Sequence, residues 1–274
     1  MPRSHTVDYP FDTSQFTPHQ FQSRSLLSVS FNVMWGWLRT HFVSFRDGVK
    51  NHGLSWVIVG IDIAYQDRVD FFDDDGFTVE VKGATLRKNG TLLDFNIEFR
   101  TAEKQIAKVK ILLFALKVAH LDASLAGVTG KVEGSLLKKL RPDEIDDTTP
   151  DRVVPVLLSE IETSGEILAE GNISLTIHRH LCEVADQWCF VELMGIVGRG
   201  RENLVQANTD KGDSLLKGLS HPLKKINAEL KKAYFLFDEC YVQTKAYQVG
   251  EDVYFVHNLS GENKKLHASV IEKF

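Results

Sequence analysis

The sequence predicts an α+β fold of two tandem units, each a long buried helix followed by a curved antiparallel sheet that wraps it. Three observations predict it: an apolar segment of helical length near the N-terminus, a series of alternating strand-like runs behind it, and a second appearance of the same plan farther along. At 274 residues the chain is also long enough for two units of roughly 130 residues each.

The helical segment runs from Leu26 to Phe45, LLSVSFNVMWGWLRTHFVSF, with large apolar residues on nearly every side of a helical wheel. A helix of that kind must be surrounded by protein. Ser28 or Ser30 offers a side-chain oxygen to cap its start, and Gly48 with Asn51 to Gly53 supplies residues that tolerate positive φ beyond its end.

Four runs then read as strands: Trp56 to Tyr65, Phe77 to Arg87, Leu92 to Phe99 and Ile106 to Val118. Alternation in Ile61, Ile63 and Tyr65, in Phe95, Ile97 and Phe99, and in Val109, Ile111 and Leu113 implies a sheet with one buried face. Asn89-Gly90 joins two of the runs as a hairpin turn, because both residues accept the positive φ of a type I′ turn.

Periodicity fades after Leu121. Residues 121–155 contain three glycines and the acidic, proline-bounded RPDEIDDTTPDRVVP, which reads as a surface linker between a first unit at 1–120 and a second at 156–274. Asp143, Glu144, Asp146 and Asp147 lack the glycine-containing spacing of a calcium loop.

The second unit repeats the first. Placing Phe77 to Ile111 over Phe237 to Ile271 needs no gap, and sets Phe77 on Phe237, Gly90 on Gly250, Phe95 on Phe255, Lys104 on Lys264 and Ile111 on Ile271. Upstream, Glu183 to Val197 corresponds to the first helix, with Val29 over Val184. An additional polar helix is expected over Ser214 to Ala233. Its lysine-rich LKKINAELKK forms an exposed face, or a basic patch for the phosphates of a nucleotide-bearing cofactor. GRGREN, at Gly198 to Asn203, suggests a flexible loop.

Composition narrows the function. A hydrophobic share of 43% with 25% charged residues suits a globular chain with a sizeable core, and a net charge of -5 gives no general attraction to nucleic acid or anionic membrane. Cys182, Cys189 and Cys240 show no CxxC spacing, which favours a reducing, cytoplasmic setting. No apolar stretch is long enough for a membrane span, and Met1 to Tyr9 carries no signal-like apolar core. The motifs GxSxG, GxxxxGK[ST], HExxH and GxGxxG are all missing.

A buried helix followed by a curled antiparallel sheet, with a strand ahead of the helix, resembles the hotdog fold, here as a double hotdog. The order of strands, Asn-Gly turn and long final strand over Trp56 to Val118 is similar to the 4-hydroxybenzoyl-CoA thioesterase branch of that superfamily. In the superfamily single hotdogs pair across a shared sheet, and tandem versions fold the pair from one chain. The resemblance implies acyl-CoA or acyl carrier protein substrates, bound at the seam between halves. That branch carries an Asp, then Gly-His and Asn-Asn, on the loop entering the helix. Neither PHQFQSRSLLSVSFN nor TIHRHLCEVADQW matches, so no residue role is carried over.

The residues themselves offer a polar group at the second entry loop. His178, His180, Glu183 and Asp186 fall where a strand is expected to pass into a helix. In an extended segment the two histidines share a face, while Glu183 and Asp186 stand one step apart on the first helical turn. A histidine oriented by a carboxylate is a general base, and a helix N-terminus favours the negative charge that develops on a thioester carbonyl. The carboxylates equally suit a helix start with exposed histidines beside it. His178, His180 and Cys182 are zinc-ligand types, but no fourth distant ligand is evident, and no metal or cofactor is expected. In the first half, His19 and Asn32 are the candidates for substrate binding. Asn32, inside so apolar a helix, needs a backbone or ligand hydrogen-bond partner. Asp12 begins an Asx-type turn.

These features favour an enzyme that hydrolyses an acyl-CoA or acyl-carrier-protein thioester, with a dehydratase or acyltransferase as the nearest variant. A non-catalytic protein binding an acyl chain or a pathway partner is the rival. A third reading is a structural subunit contributing one pseudo-dimer to a larger assembly, a homo-oligomer included.

Overall fold

The computed structural model describes residues 3–118, 127–184 and 186–274. Residues 121–126 of the expected linker and Ala185 of the expected second helix lie outside them. The chain divides into two compact units: residues 1–17, 21–61 and 66–151 make the first, and residues 18–20, 62–65 and 152–274 the second.

In the first unit, β1 (His5–Pro10) leads to α1 (Ser23–His41) and α2 (Phe45–His52). Then come β2 (Leu54–Tyr65), β3 (Gly76–Arg87), β4 (Leu92–Arg100) and β5 (Gln105–Lys117). The strand order is β1-β3-β4-β5-β2, with β6 (Val128–Thr129) added to β5 and β7 (Ile145–Asp146) to β3. The four expected strands therefore form within two residues of their expected limits. Alternation decides their inner face: Val79, Val81, Phe95, Ile97, Phe99, Val109, Ile111 and Leu113 are all buried.

The first helix is shifted from expectation. It starts at Ser23, so Ser28 and Ser30 lie inside it rather than capping it, and it ends at His41. Phe42 to Ser44 break the helix, and Ser44 accepts the Asp47 N–H at 3.2 Å to start α2, which Gly53 ends at φ +60°. Leu26, Leu27, Val33, Met34, Trp37 and Leu38 are buried, and Trp37 meets Phe95 edge-on at 5.6 Å. Asn32 is exposed, which removes the need for a buried partner.

Among its described residues, 127–155, the expected surface linker carries short helical and strand segments. After α3 (Gly134–Leu137), the Glu144 carboxylate is buried, accepts from the Arg141 N–H at 2.9 Å and pairs with Arg3. Arg87 reaches Asp146 at 2.5 Å, so Glu144 and Asp146 both pair with arginines of the unit. The helix α4 (Val153–Ser164) begins before the expected boundary, because Val154 and Ile161 on one face pack against Tyr247, Val256 and Ile271 of the second unit's sheet.

The second unit continues with β8 (Glu166–Thr176), α5 (Leu193–Gln206), α6 (Asp213–Ser220), β9 (Lys225–Leu230), β10 (Glu239–Val249), β11 (Asp252–Ser260) and β12 (Leu266–Lys273). Their order in the sheet is β9-β12-β11-β10-β8. The internal repeat is plainest at β4 and β11, which follow glycines of positive φ, Gly90 at +84° and Gly250 at +61°, and which fully bury Phe95 and Phe255. Phe77 and Phe237 are not equivalent: Phe77 is buried in an aromatic cluster, whereas Phe237 is 70% exposed and precedes its strand.

Three expectations fail here. The second helix begins at Leu193 rather than Glu183, since the Glu183 N–H bonds the Gln187 carbonyl at 2.8 Å and the bridge Cys182–Trp188 closes a tight hairpin. The polar helix stops at Ser220. LKKINAELKK contains β9, with Ile226, Asn227 and Ala228 buried and Lys224 paired with Asp252 at 2.7 Å, so it presents no helical basic face. GRGREN is helix interior, because a glycine at 200 lets α5 lie close to β10: a Cβ there would stand 2.8 Å from Thr244 Oγ1.

Candidate active site beside the second helix

A cavity of about 410 Å3 lies in the second unit along the N-terminal half of α5. Glu192, Gly195, Ile196 and Arg199 line it from the helix side, at spacings that bring them onto one face. Ser174 to Thr176, at the end of β8, together with His178, His180 and Leu181 line the rest. Leu175, Leu181 and Ile196 make part of the wall apolar, a composition suited to an acyl group beside a few polar side chains.

Two of the six candidate residues therefore meet at one place. His178 precedes a 3-10 turn, Arg179–Leu181, that carries His180, and the two rings lie near-parallel with centroids 6.3 Å apart. The His178 ring also meets Phe237 edge-on at 6.4 Å. Both histidines are exposed.

Glu183 and Asp186 are not among the lining residues, and they sit in the hairpin rather than on a helical turn. Asp186, at φ +50°, gives its carboxylate to Arg179 at 2.5 Å. Glu183 is exposed as a residue, yet its carboxyl is crowded by protein, and this desolvation raises its pKa above the ordinary carboxylate range. Desolvation, with Asp186 adding to it, also raises the pKa of the neighbouring Cys182 thiol.

His19 bonds the Leu219 carbonyl at the end of α6 at 3.0 Å, and Asn32 stands on the exposed side of α1; neither lines the cavity. Asp12 does form its turn, accepting the Ser14 N–H at 2.8 Å. Among the described residues no group of three or more His, Cys, Asp or Glu side chains is arranged to hold a metal ion, and no helix is long and apolar enough to cross a membrane.

No family model matches the chain, and no curated protein matches it in sequence. Solved structures do match in fold. A Lactobacillus plantarum protein assigned as an oleoyl thioesterase aligns with a TM-score of 0.74 at 11% identity, covering 99% of this chain and 96% of that one. An acyl-ACP thioesterase from Bacteroides thetaiotaomicron and a 12:0-ACP thioesterase from Umbellularia californica each align at 0.66 with 9% identity, covering 98% of this chain and 96% of theirs. The chain is a double hotdog. Each hotdog contributes its own helix, α1 or α5, and its own curled sheet.

Sequence reasoning missed Glu192 and Arg199 of this double hotdog. The available signal is their spacing with Gly195 and Ile196: Glu192, Gly195 and Ile196 fall inside the expected helix, but Arg199 falls in GRGREN, expected to be a loop, which cuts the shared face short.

Proposed function

We propose that the chain hydrolyses an acyl thioester, carried by CoA or acyl carrier protein, at the cavity beside α5. The observation that carries this is the convergence of His178, His180 and Glu192 with an apolar wall in one cavity of about 410 Å3. The double-hotdog fold, shared with proteins described as acyl thioesterases, supports the same class. In this reading the thioester carbonyl lies against the N-terminal half of α5, where the helix dipole favours negative charge on its oxygen. His178 or His180 takes a proton from water, the resulting hydroxide attacks the carbonyl carbon, and the tetrahedral intermediate collapses with loss of the thiolate, which is then protonated. Glu192 holds and orients the attacking water. Glu183, Asp186 and Arg179 fix the hairpin that follows the histidines.

The test is to incubate the pure protein with a panel of acyl-CoAs and acyl carrier proteins and to follow free thiol. Release that falls about 100-fold or more in the His178→Ala, His180→Ala double variant supports the assignment. Release that the double variant leaves unchanged excludes it.

One observation favours the non-catalytic rival. Neither His178 nor His180 has a carboxylate hydrogen-bonded to its ring among the described residues. A protein that binds acyl chains in this cavity but frees no thiol would establish that rival.

A further inference from the structure

Strand β8 ends the sheet of the second unit, bonded to β10 alone among the described strands. Half of the backbone N–H and C=O groups of its 11 residues therefore point away from the sheet. Folded proteins ordinarily guard such an edge with lysine, proline, a short strand or a cover. The first unit does so: its edge strand β1 has six residues and ends in Pro10. The segment EILAEGNISLT holds no lysine, arginine or proline, and it leaves Ile167 55% exposed. Its one irregularity lies near its start, where the register with β10 shifts between Ala246 and Tyr247; from Ala169 to Thr176 the pairing is unbroken.

This regular stretch is complementary to itself. Ala169, Gly171, Ile173 and Leu175 pair with Ala246, Thr244, Val242 and Cys240, on the face that α5 covers at Gly200 and Leu204. Glu170, Asn172 and Ser174 are exposed on the other face. Two antiparallel copies meeting about a two-fold axis put residues of the same face opposite one another, so the axis must fall on a residue. At Asn172, Ala169 meets the partner's Leu175, Gly171 meets the partner's Ile173, and Glu170 meets the partner's Ser174. Apolar residues oppose apolar ones, and no carboxylate opposes another, since both glutamates lie in the first half of the strand.

We propose that the free edge of β8 is where two copies of this chain pair, antiparallel about a two-fold axis at Asn172, each extending the other's sheet. The partner of this edge is thus a second copy, recognised by backbone hydrogen bonds and by the matched faces of one sequence. Ser174 to Thr176 of the same strand also line the cavity. No chemistry at the cavity is needed for the pairing.

The full chain should sediment at twice its own mass. Asn172→Lys places like charges across the axis and should return it to a monomer with an unchanged circular dichroism spectrum. Asn172→Cys should form a covalent dimer on oxidation that the wild type, with its three native cysteines, does not form, since Cα atoms of opposed residues stand about 4.5–5.5 Å apart, within reach of a disulfide. Should Asn172→Lys fail to fold, hydrogen exchange of the wild type decides instead: amides of residues 169–176 should gain protection as concentration rises. A wild type that stays monomeric at every attainable concentration overturns the proposal, as does a dimer that Asn172→Lys leaves intact. Protection of β8 that appears only on adding an extended peptide would assign the edge to a peptide and overturn it as well.

Discussion

The Arg201 guanidinium donates through a single nitrogen, Nη1, to both carboxylate oxygens of Glu272, each at 2.6 Å, where Glu272 is 2% exposed. The pair continues through His257, whose Nε2 lies 3.1 Å from Glu272 and whose Nδ1 lies 2.9 Å from Thr244 Oγ1. The two ring nitrogens of His257 thus bridge the Glu272 carboxylate and the Thr244 hydroxyl. One chain of polar contacts thus ties α5 to β10, β11 and β12, and so seats the helix that lines the cavity.

Burial alone would raise the Glu272 pKa, but the Arg201 charge and the His257 bond outweigh it and hold the group at about 2, against 4.5 for an unperturbed glutamate. Since the folded-state value is depressed, the stabilisation is present above the unfolded value and is lost as pH falls through the folded one. Glu272→Gln should cost about 3–5 kcal/mol at neutral pH, because Arg201 would then be left partly buried without its counterion. The gap to wild type should narrow between about pH 4.5 and pH 2. Urea midpoints measured across that range check both statements.

Two glycines of α5 should respond oppositely to alanine. At Gly200 the new methyl would press on Thr244 Oγ1 and lift the helix from the sheet, which should lower stability by about 1–3 kcal/mol despite the better helix propensity of alanine. At Gly195 nothing lies within 4 Å of the added carbon, so stability should rise by about 0.5–1 kcal/mol. Gly195 also lines the cavity, and the same methyl should narrow it and reduce kcat/KM for long acyl chains. Thermal melts paired with thiol-release assays separate the two effects.

In the first unit, Arg3 donates to Glu144 and to the His41 carbonyl at 2.7 Å, and its guanidinium lies 5.4 Å from the centre of the Trp37 ring. Arg3→Met leaves a buried carboxylate without its cation and should cost about 3–5 kcal/mol. Adding Glu144→Leu should recover much of that loss, because the stranded charge goes with it. A double-mutant cycle in denaturant gives the coupling directly.

Asp186 holds a positive φ as well as an ion pair, and these can be told apart. Asp186→Asn keeps a side chain that tolerates the left-handed region and removes only the exposed pair with Arg179, so it should change stability by less than about 1 kcal/mol. Asp186→Val should cost more, because a β-branched side chain is strained at that backbone angle. If the hairpin orients His178 and His180, the valine variant should also raise KM while the asparagine variant does not.

What the sequence determined by itself was the periodic part of this protein. The alternation in β2 to β5, the Asn89-Gly90 turn, and the offset that sets β4 on β11 all follow from side chains choosing between water and a core within a few residues of one another. Such choices are local, so they can be read along the chain. Tertiary structure alone decided where α5 begins, that LKKINAELKK becomes a strand, and that Glu144 and Glu272 are buried with arginines far away in sequence. It also decided that His178 and His180 share a cavity with Glu192 while Glu183 and Asp186 shape a hairpin beside it. Each of these depends on a partner that arrives only when distant segments pack. A hydrogen bond across tens of residues, or the close approach of helix and sheet that a glycine allows, leaves no periodic mark on the sequence that makes it.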